Sequence, residues 1–293
     1  MRSMKRRNHF PLLLLLPFLS LTALLLAGVG NVLLQSLGYI PAFGLRHLTV
    51  NYFLAIFRRP DFLQALWVSL RIALLSAVWA AVLGTVLCWA LISCSRGSGT
   101  MRHLLRLPIL VPHAVVAVFV LQLLSQTGLA ARICHALGLI ESSGAFPQLI
   151  YTPNYTGAIL AYLWKEIPFV AYYTLALMAS VSASLGEAAE NLGASPLRSF
   201  LTVTLPLSLP AVLKAFLIIF VFAFGGYELP FLLGVTVPKA LPVQAYLAYT
   251  SPDLLQRPYA MAMNMVILLF SLGMAVLYWI VMRALLRRTG GAV

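Results

Sequence analysis

The chain has 293 residues, of which 61% are hydrophobic and only 9% charged, with a formal net charge of +13 at pH 7. Soluble domains carry about a quarter of their residues as charges, so a water-soluble fold of this size cannot hide so much apolar side chain. A bilayer is the solvent that fits the composition. A membrane β-barrel is excluded, because its strands alternate apolar and polar residues, whereas the apolar runs here are continuous. The positive charge has no aromatic-interleaved basic stripe, which argues against a nucleic-acid partner. In a membrane protein, basic residues flank helices on the cytoplasmic side.

Cys88, Cys94 and Cys134 are odd in number and lack metal or redox spacing, so they read as small apolar residues. The five histidines are scattered, with no HExxH pattern.

Arg2, Lys5, Arg6 and Arg7 precede an apolar run from Pro11 to Leu34. The opening resembles a signal peptide, but the run is long enough to span and is read as an uncleaved first helix. Three more uncharged runs follow, with one that carries Lys214 near its start and one that carries a charge pair. They cover Ile72–Ile92 (extended outward from Phe62), Leu107–Ala131, about Tyr155–Ser180, about Leu207–Tyr227, and Tyr259–Met282. The run at Tyr155–Ser180 contains Lys165 and Glu166. The expected fold class is therefore all-α integral membrane with six transmembrane helices.

Placing the N-terminus in the cytoplasm puts 12 Lys and Arg residues inside and 7 outside, with Lys165 within a span. Both termini then lie in the cytoplasm. Three exterior connections result, near 35–61, 132–154 and 228–258. The middle one has room for a short helix around Ala131–Leu139. The last holds Pro230, Pro238, Pro242, Pro252 and Pro258, which argue for a folded-back segment. Residues 1–60 form a charged tail, a first span and an exterior segment. Residues 61–293 form the core transmembrane domain, with a distinctive cytoplasmic loop at 182–210. No internal repeat or soluble domain is evident.

That loop is densely punctuated. Ser184 and Glu187 have the spacing of a capping box, which predicts a helix beginning after Ser184 and running through Ala188, Ala189 and Glu190. Gly193 suits the left-handed position that closes it. Ser195 suits an N-cap, with Pro196 at the first position of a second short helix. Pro206 and Pro210 are expected to separate that helix from the fifth span. A rigid helix between two spans can press on a cytoplasmic partner, and Glu187, Glu190, Asn191 and Arg198 offer it a polar surface.

Glu187-Ala188-Ala189, three residues, Gly193, nine residues, then Val203-Thr204-Leu205-Pro206 resembles the EAA loop of ABC importer permeases. The family pattern ends I-x-L-P, so only Val203 departs. Trp164–Phe169 (WKEIPF), Phe224–Gly234 (FGGYELPFLLG), and Pro108 and Pro112 opening the third span look like type I importer permeases. The likeness is greatest to the spermidine and putrescine group and covers most of residues 60–285. It implies an ATPase dimer that receives the helix Leu185–Leu192, a second permease, identical or related with the related one favoured, and an exterior solute-binding protein. It also implies ATP and Mg on that ATPase, none of either on this chain, and a bacterial inner-membrane location. The absence of G-x-x-x-x-G-K-[ST] agrees that the chain is no enzyme. The coupling residues carried over are Glu187, Ala188, Ala189, Glu190, Asn191, Gly193, Ser195, Pro196, Leu205 and Pro206.

Four further residues are candidates for the solute path. A charge at mid-membrane costs about 2.5–3.5 kcal/mol on insertion scales, so Lys165 and Glu166 must face protein or water. They either line the path or form a fixed contact. Glu228 beside Gly225 and Gly226 offers a carboxylate to a cationic solute, or simply faces water at the outer interface. Tyr162 can stack on a solute or pack, as can Tyr172 and Tyr173. Asn264 is explained by a helix–helix hydrogen bond.

Two rivals predict other features. A secondary transporter calls for related halves, and a membrane enzyme calls for a polar catalytic cluster; neither is evident. For the solute, polyamine is the first expectation, with iron, thiamine, phosphonate and oxyanions as alternatives.

Overall fold

The computed structural model describes residues 10–94 and 103–288. The basic cluster Arg2–Arg7 and the loop with Arg96 and Arg102, on which the orientation argument leaned, lie outside the described residues. In chain order the α-helices are α1 Phe10–Ser36, α2 Asn51–Phe57, α3 Pro60–Ser93, α4 Arg106–Leu110, α5 His113–Leu124, α6 Leu129–Ala136 and α7 Thr156–Val181. Then follow α8 Glu187–Asn191, α9 Pro196–Ser199, α10 Leu205–Gly225, α11 Glu228–Leu233, α12 Leu241–Tyr249 and α13 Arg257–Arg288. Six stretches among the described residues are long and apolar enough to cross a membrane. No strand occurs among them beyond one isolated bridge between Ile40 and Leu45.

The centre of the bundle is α3 against α7 and α10. The reason is visible along α3: Ala65, Ser69, Ala73, Ala77, Ala81, Thr85 and Cys88 are all buried and recur at near four-residue spacing. Small residues let helices approach closely in lipid, where no water drives them together. A Cβ built on Gly84 would lie 2.6 Å from Val170 Cβ and 2.8 Å from the Ile167 carbonyl oxygen, so only glycine permits the approach of α7 there. By contrast, α1 is almost wholly exposed and touches the bundle through α13.

The expected folded-back segment is present as α11 and α12, between α10 and α13. It is pinned by Tyr151 N–H on the Leu233 carbonyl (3.0 Å), Tyr155 Oη on the Pro238 carbonyl (2.7 Å), and Leu241 N–H on Ser69 Oγ (2.7 Å). The short helix expected near Ala131–Leu139 is α6.

Three local expectations are overturned. The third run is not one helix: Val111 and Pro112 are extended, with ψ of 128° and 146°, so α4 and α5 are separate. A proline disfavours helix in the residue before it, and this preference overrides the apolar continuity. Ser184 caps nothing. The helix runs on from Val181 through a π-helical turn at Ser182–Gly186 into α8, and the Ser184 hydroxyl donates to the Ser180 carbonyl at 3.0 Å. With no helix start there are no orphan N–H groups to cap. Pro206 and Pro210 do not separate α9 from the fifth span. A second π-helical turn, Phe200–Thr204, joins α9 to α10, and the Leu205 N–H reaches the Phe200 carbonyl. Pro206 falls in the first turn of α10, where a missing N–H costs little, so the chain passes it without a break.

Candidate functional site

Two regions carry the polar residues singled out by sequence, at different levels of the bundle. The first joins the fourth and fifth spans. Here α8 ends in a tight reversal: Gly193 N–H donates to the Glu190 carbonyl (2.9 Å), and Ala194 N–H donates to the Ala189 carbonyl (3.0 Å). These are the paired bonds of a Schellman motif, and Gly193 supplies the left-handed residue with φ +94°. Ser195 Oγ then accepts from Arg198 N–H at 3.4 Å, with Pro196 at the first position of α9. Both local expectations hold at atomic level.

The two π-helical turns lie side by side. The Ser199 hydroxyl donates to the Gly186 carbonyl at 3.0 Å. A Cβ on Gly186 would sit 3.3–3.4 Å from the hydroxyls of Ser199, Ser182 and Thr204. Glu187, Ala188, Glu190, Asn191, Gly193, Ser195, Pro196 and Pro206 are exposed, while Ala189 and Leu205 are half-buried. Leu192 at the reversal is 90% exposed, with Leu185, Leu197 and Leu201 also open. An apolar tip ringed by polar groups marks a contact surface. Leu192 ends the helix expected to enter the ATPase but was not singled out by itself, because a leucine in a leucine-rich chain carries no signal of its own. Behind this tip, a cavity of about 420 Å³ is lined by Trp89, Ile92, Glu187, Glu190, Phe200 and Thr204, among others.

The second region is a cleft of about 400 Å³ lined by Pro112, His113, Tyr162, Phe222, Gly225, Gly226, Tyr227, Glu228 and Leu229. Tyr162 is buried. Its hydroxyl lies over Gly226 so closely that no Cβ fits between them. The His113 ring faces Phe222 at 4.7 Å and Tyr162 at 5.9 Å between centroids. Glu228 is exposed in the first turn of α11. Tyr162 and Glu228 thus share one cleft.

Lys165 and Glu166 stand behind that cleft rather than in its lining. They are 6% and 9% exposed. The Lys165 ammonium donates to the Val111 carbonyl, and Glu166 Oε1 lies 3.5 Å from His113 Nε2. His113 was not singled out by sequence. The available signal was its position directly after an X-Pro step inside a spanning run. Tyr172 and Tyr173 are elsewhere, around a cavity with Arg106, Ile109, Leu110 and Phe169.

The far end of α3 from Trp89 holds a polar cavity of about 480 Å³, with Arg59 bound to Asp61 at 2.8 Å. Hydrogen bonding to Asp61 raises the Arg59 guanidinium above its ordinary value.

A glycine-closed EAA segment between two spans of a six-span helical bundle defines a transport permease. The chain belongs to the family described as binding-protein-dependent transport system inner membrane component, which matches residues 82–290. It is 31% identical over 225 residues to the sn-glycerol-3-phosphate transport system permease protein UgpA of Yersinia enterocolitica, covering 74% of each chain. It is 26% identical over 166 residues to the molybdenum transport system permease protein ModB of Escherichia coli K12, covering 56% of this chain and 68% of that one. In fold it matches a chain of a bacterial ABC transporter involved in import of the acidic polysaccharide alginate, with a TM-score of 0.80 and 20% identity over 95% of this chain and 96% of that one. The names of these two curated relatives carry sn-glycerol-3-phosphate and molybdenum, not the polyamines expected from sequence.

Proposed function

We propose that this chain is the membrane-spanning subunit of an ATP-driven importer, forming part of the solute path and taking its motion from a separate ATPase. The observation that carries this is the segment Glu187–Pro206: an EAA helix continuous with one span, reversed at Gly193, and tied at Ser199 to the start of the next. The exposed leucines at the reversal fit a groove on a cytoplasmic ATPase dimer, which holds the ATP and Mg. A second, related permease completes the path, and an exterior binding protein delivers the solute. Both termini lie in the cytoplasm of a bacterial inner membrane.

The cleft at Glu228 is the solute's passage in this chain. A carboxylate in a cleft that Phe222 and Tyr227 also line suits a small amine cation, polyamines included, since aromatic rings and anions both attract a cation. An oxyanion or phosphate ester is the second reading, favoured by the names of the two relatives above. The test is co-purification with the neighbouring ATPase, followed by reconstitution of the complex in lipid vesicles with its binding protein. ATP-dependent uptake is the expected result. Uptake by this chain with no ATPase present would overturn the reading.

A further inference from the structure

The third span is broken where it passes the solute cleft. Between α4 and α5, Val111 and Pro112 are extended, so the regular ladder of the helix lapses at this depth. Backbone groups freed inside a membrane must find partners within the protein. The Val111 carbonyl finds its partner in the Lys165 ammonium, delivered from α7. The next residue of the same helix, Glu166, brings its carboxylate to 3.5 Å from His113 Nε2. His113 is the first residue of α5. Two consecutive side chains of one helix therefore straddle the break, one before it and one after.

The consequence reaches the cleft through α5. His113 lies in the cleft wall against Phe222 and near Tyr162. The folded-back helix α11, which carries Glu228, packs on α5. Neither Lys165 nor Glu166 lines the cleft, and both are nearly buried. An ammonium that donates to a carbonyl from a nearly buried side chain outside the cleft lining is poorly placed to meet a passing solute.

We propose that Lys165 and Glu166 form a clip that fixes the break in the third span and thereby sets the shape of the solute cleft, without either side chain touching the solute. They are positioning residues for transport. This inference rests on the permease reading given above, and its test separates the two.

The experiment uses the whole importer in vesicles, with Cys88, Cys94 and Cys134 replaced by alanine and one cysteine placed at Gly225 in the cleft wall. The labelling rate of that cysteine by a water-soluble thiol reagent reads cleft shape directly. Lys165→Met removes the donor at similar length, whereas Lys165→Arg keeps it. Lys165→Met is expected to change the labelling rate about fivefold or more and to raise the half-saturating solute concentration about tenfold, with maximal uptake changed less than about twofold. Lys165→Arg should restore both. Because the two residues hold one element, Lys165→Met with Glu166→Gln should lose no more than the worse single variant, within about twofold. The proposal is overturned if Lys165→Met labels like the parent protein while assembled in normal amount, or if the two losses multiply. It is equally overturned if Lys165→Met changes the preference between charged and neutral solutes, since that puts the ammonium at the solute. Failure of the parent complex to take up solute with ATP would sink the permease reading alone, because labelling still decides whether the clip exists.

Discussion

The hydroxyl of Ser199 is bonded to the carbonyl of Gly186 at 3.0 Å, so the end of one span and the start of the next are fastened across the segment that joins them. Ser199 is buried, and a Cβ on Gly186 would press on three hydroxyls at 3.3–3.4 Å. The two π-helical turns therefore behave as one joint. Ser199→Ala leaves a buried carbonyl without its donor, at a cost of about 1 kcal/mol. The complex should assemble in normal amount but take up less solute per ATP hydrolysed. Equal coupling ratios for variant and parent would show that the bond is incidental.

Gly193 has φ +94° with open space around it, so its role is conformational rather than steric. Replacing it by alanine should cost roughly 1–2 kcal/mol in the reversal, from the left-handed backbone alone. Asparagine, which tolerates that region, should cost less. Gly193→Asp should leave the assembled complex in the membrane while uncoupling ATP hydrolysis from uptake. Full transport by Gly193→Asp speaks against the coupling role.

Leu192 is the most exposed apolar side chain at the reversal. Leu192→Glu puts a charge on the apolar knob proposed to meet the ATPase, and should lower ATPase recovery in pull-downs about tenfold or more. Membrane levels of this chain should be unaffected, because Leu192 packs against nothing in its own fold. Undiminished recovery of the ATPase would place the docking surface elsewhere.

Gly226 lies under the Tyr162 hydroxyl with no room for a Cβ. Gly226→Ala should therefore close the cleft and abolish uptake, and Tyr162→Phe should partly restore it by removing the obstructing oxygen. A pair whose defects simply add would show that the contact does not shape the cleft.

A cysteine introduced at Asn191, with the three native cysteines replaced, should react only with reagents that reach the cytoplasm. Labelling from outside intact cells would invert the topology and with it the ATPase-facing role of α8.

The six spans were legible because a continuous apolar run has one reading in lipid. The folded-back α11 and α12 were legible from five prolines. The reversal was legible at single residues, since Gly193, Ser195 and Pro196 each favour one local geometry. What escaped was continuity. Ser184 and Pro206 carry end signals, yet both sit in helices that run on through wide turns. Such turns accept an extra residue or a proline without a full break, and no local residue pattern announces them. The opposite error befell the start of the third run at Leu107, where apolar length masked the break at Val111 and Pro112. That break also hid the cleft's histidine and the partners of Lys165 and Glu166, which are distant in sequence and meet only when α7 crosses α5.

The unbroken run from Thr156 to Asn191 has a mechanical consequence. It is closely packed at Val170, where α3 offers Gly84. That contact is a natural fulcrum. Asn191 lies twenty-one residues from it, about 32 Å along the helix, and Tyr162 lies eight residues the other way, about 12 Å. A tilt about Val170 therefore gears down a stroke at the tip between two- and threefold by the time it reaches the cleft. The same ratio multiplies the force, which suits a small, stiff gate worked by a larger and softer motion outside the bilayer.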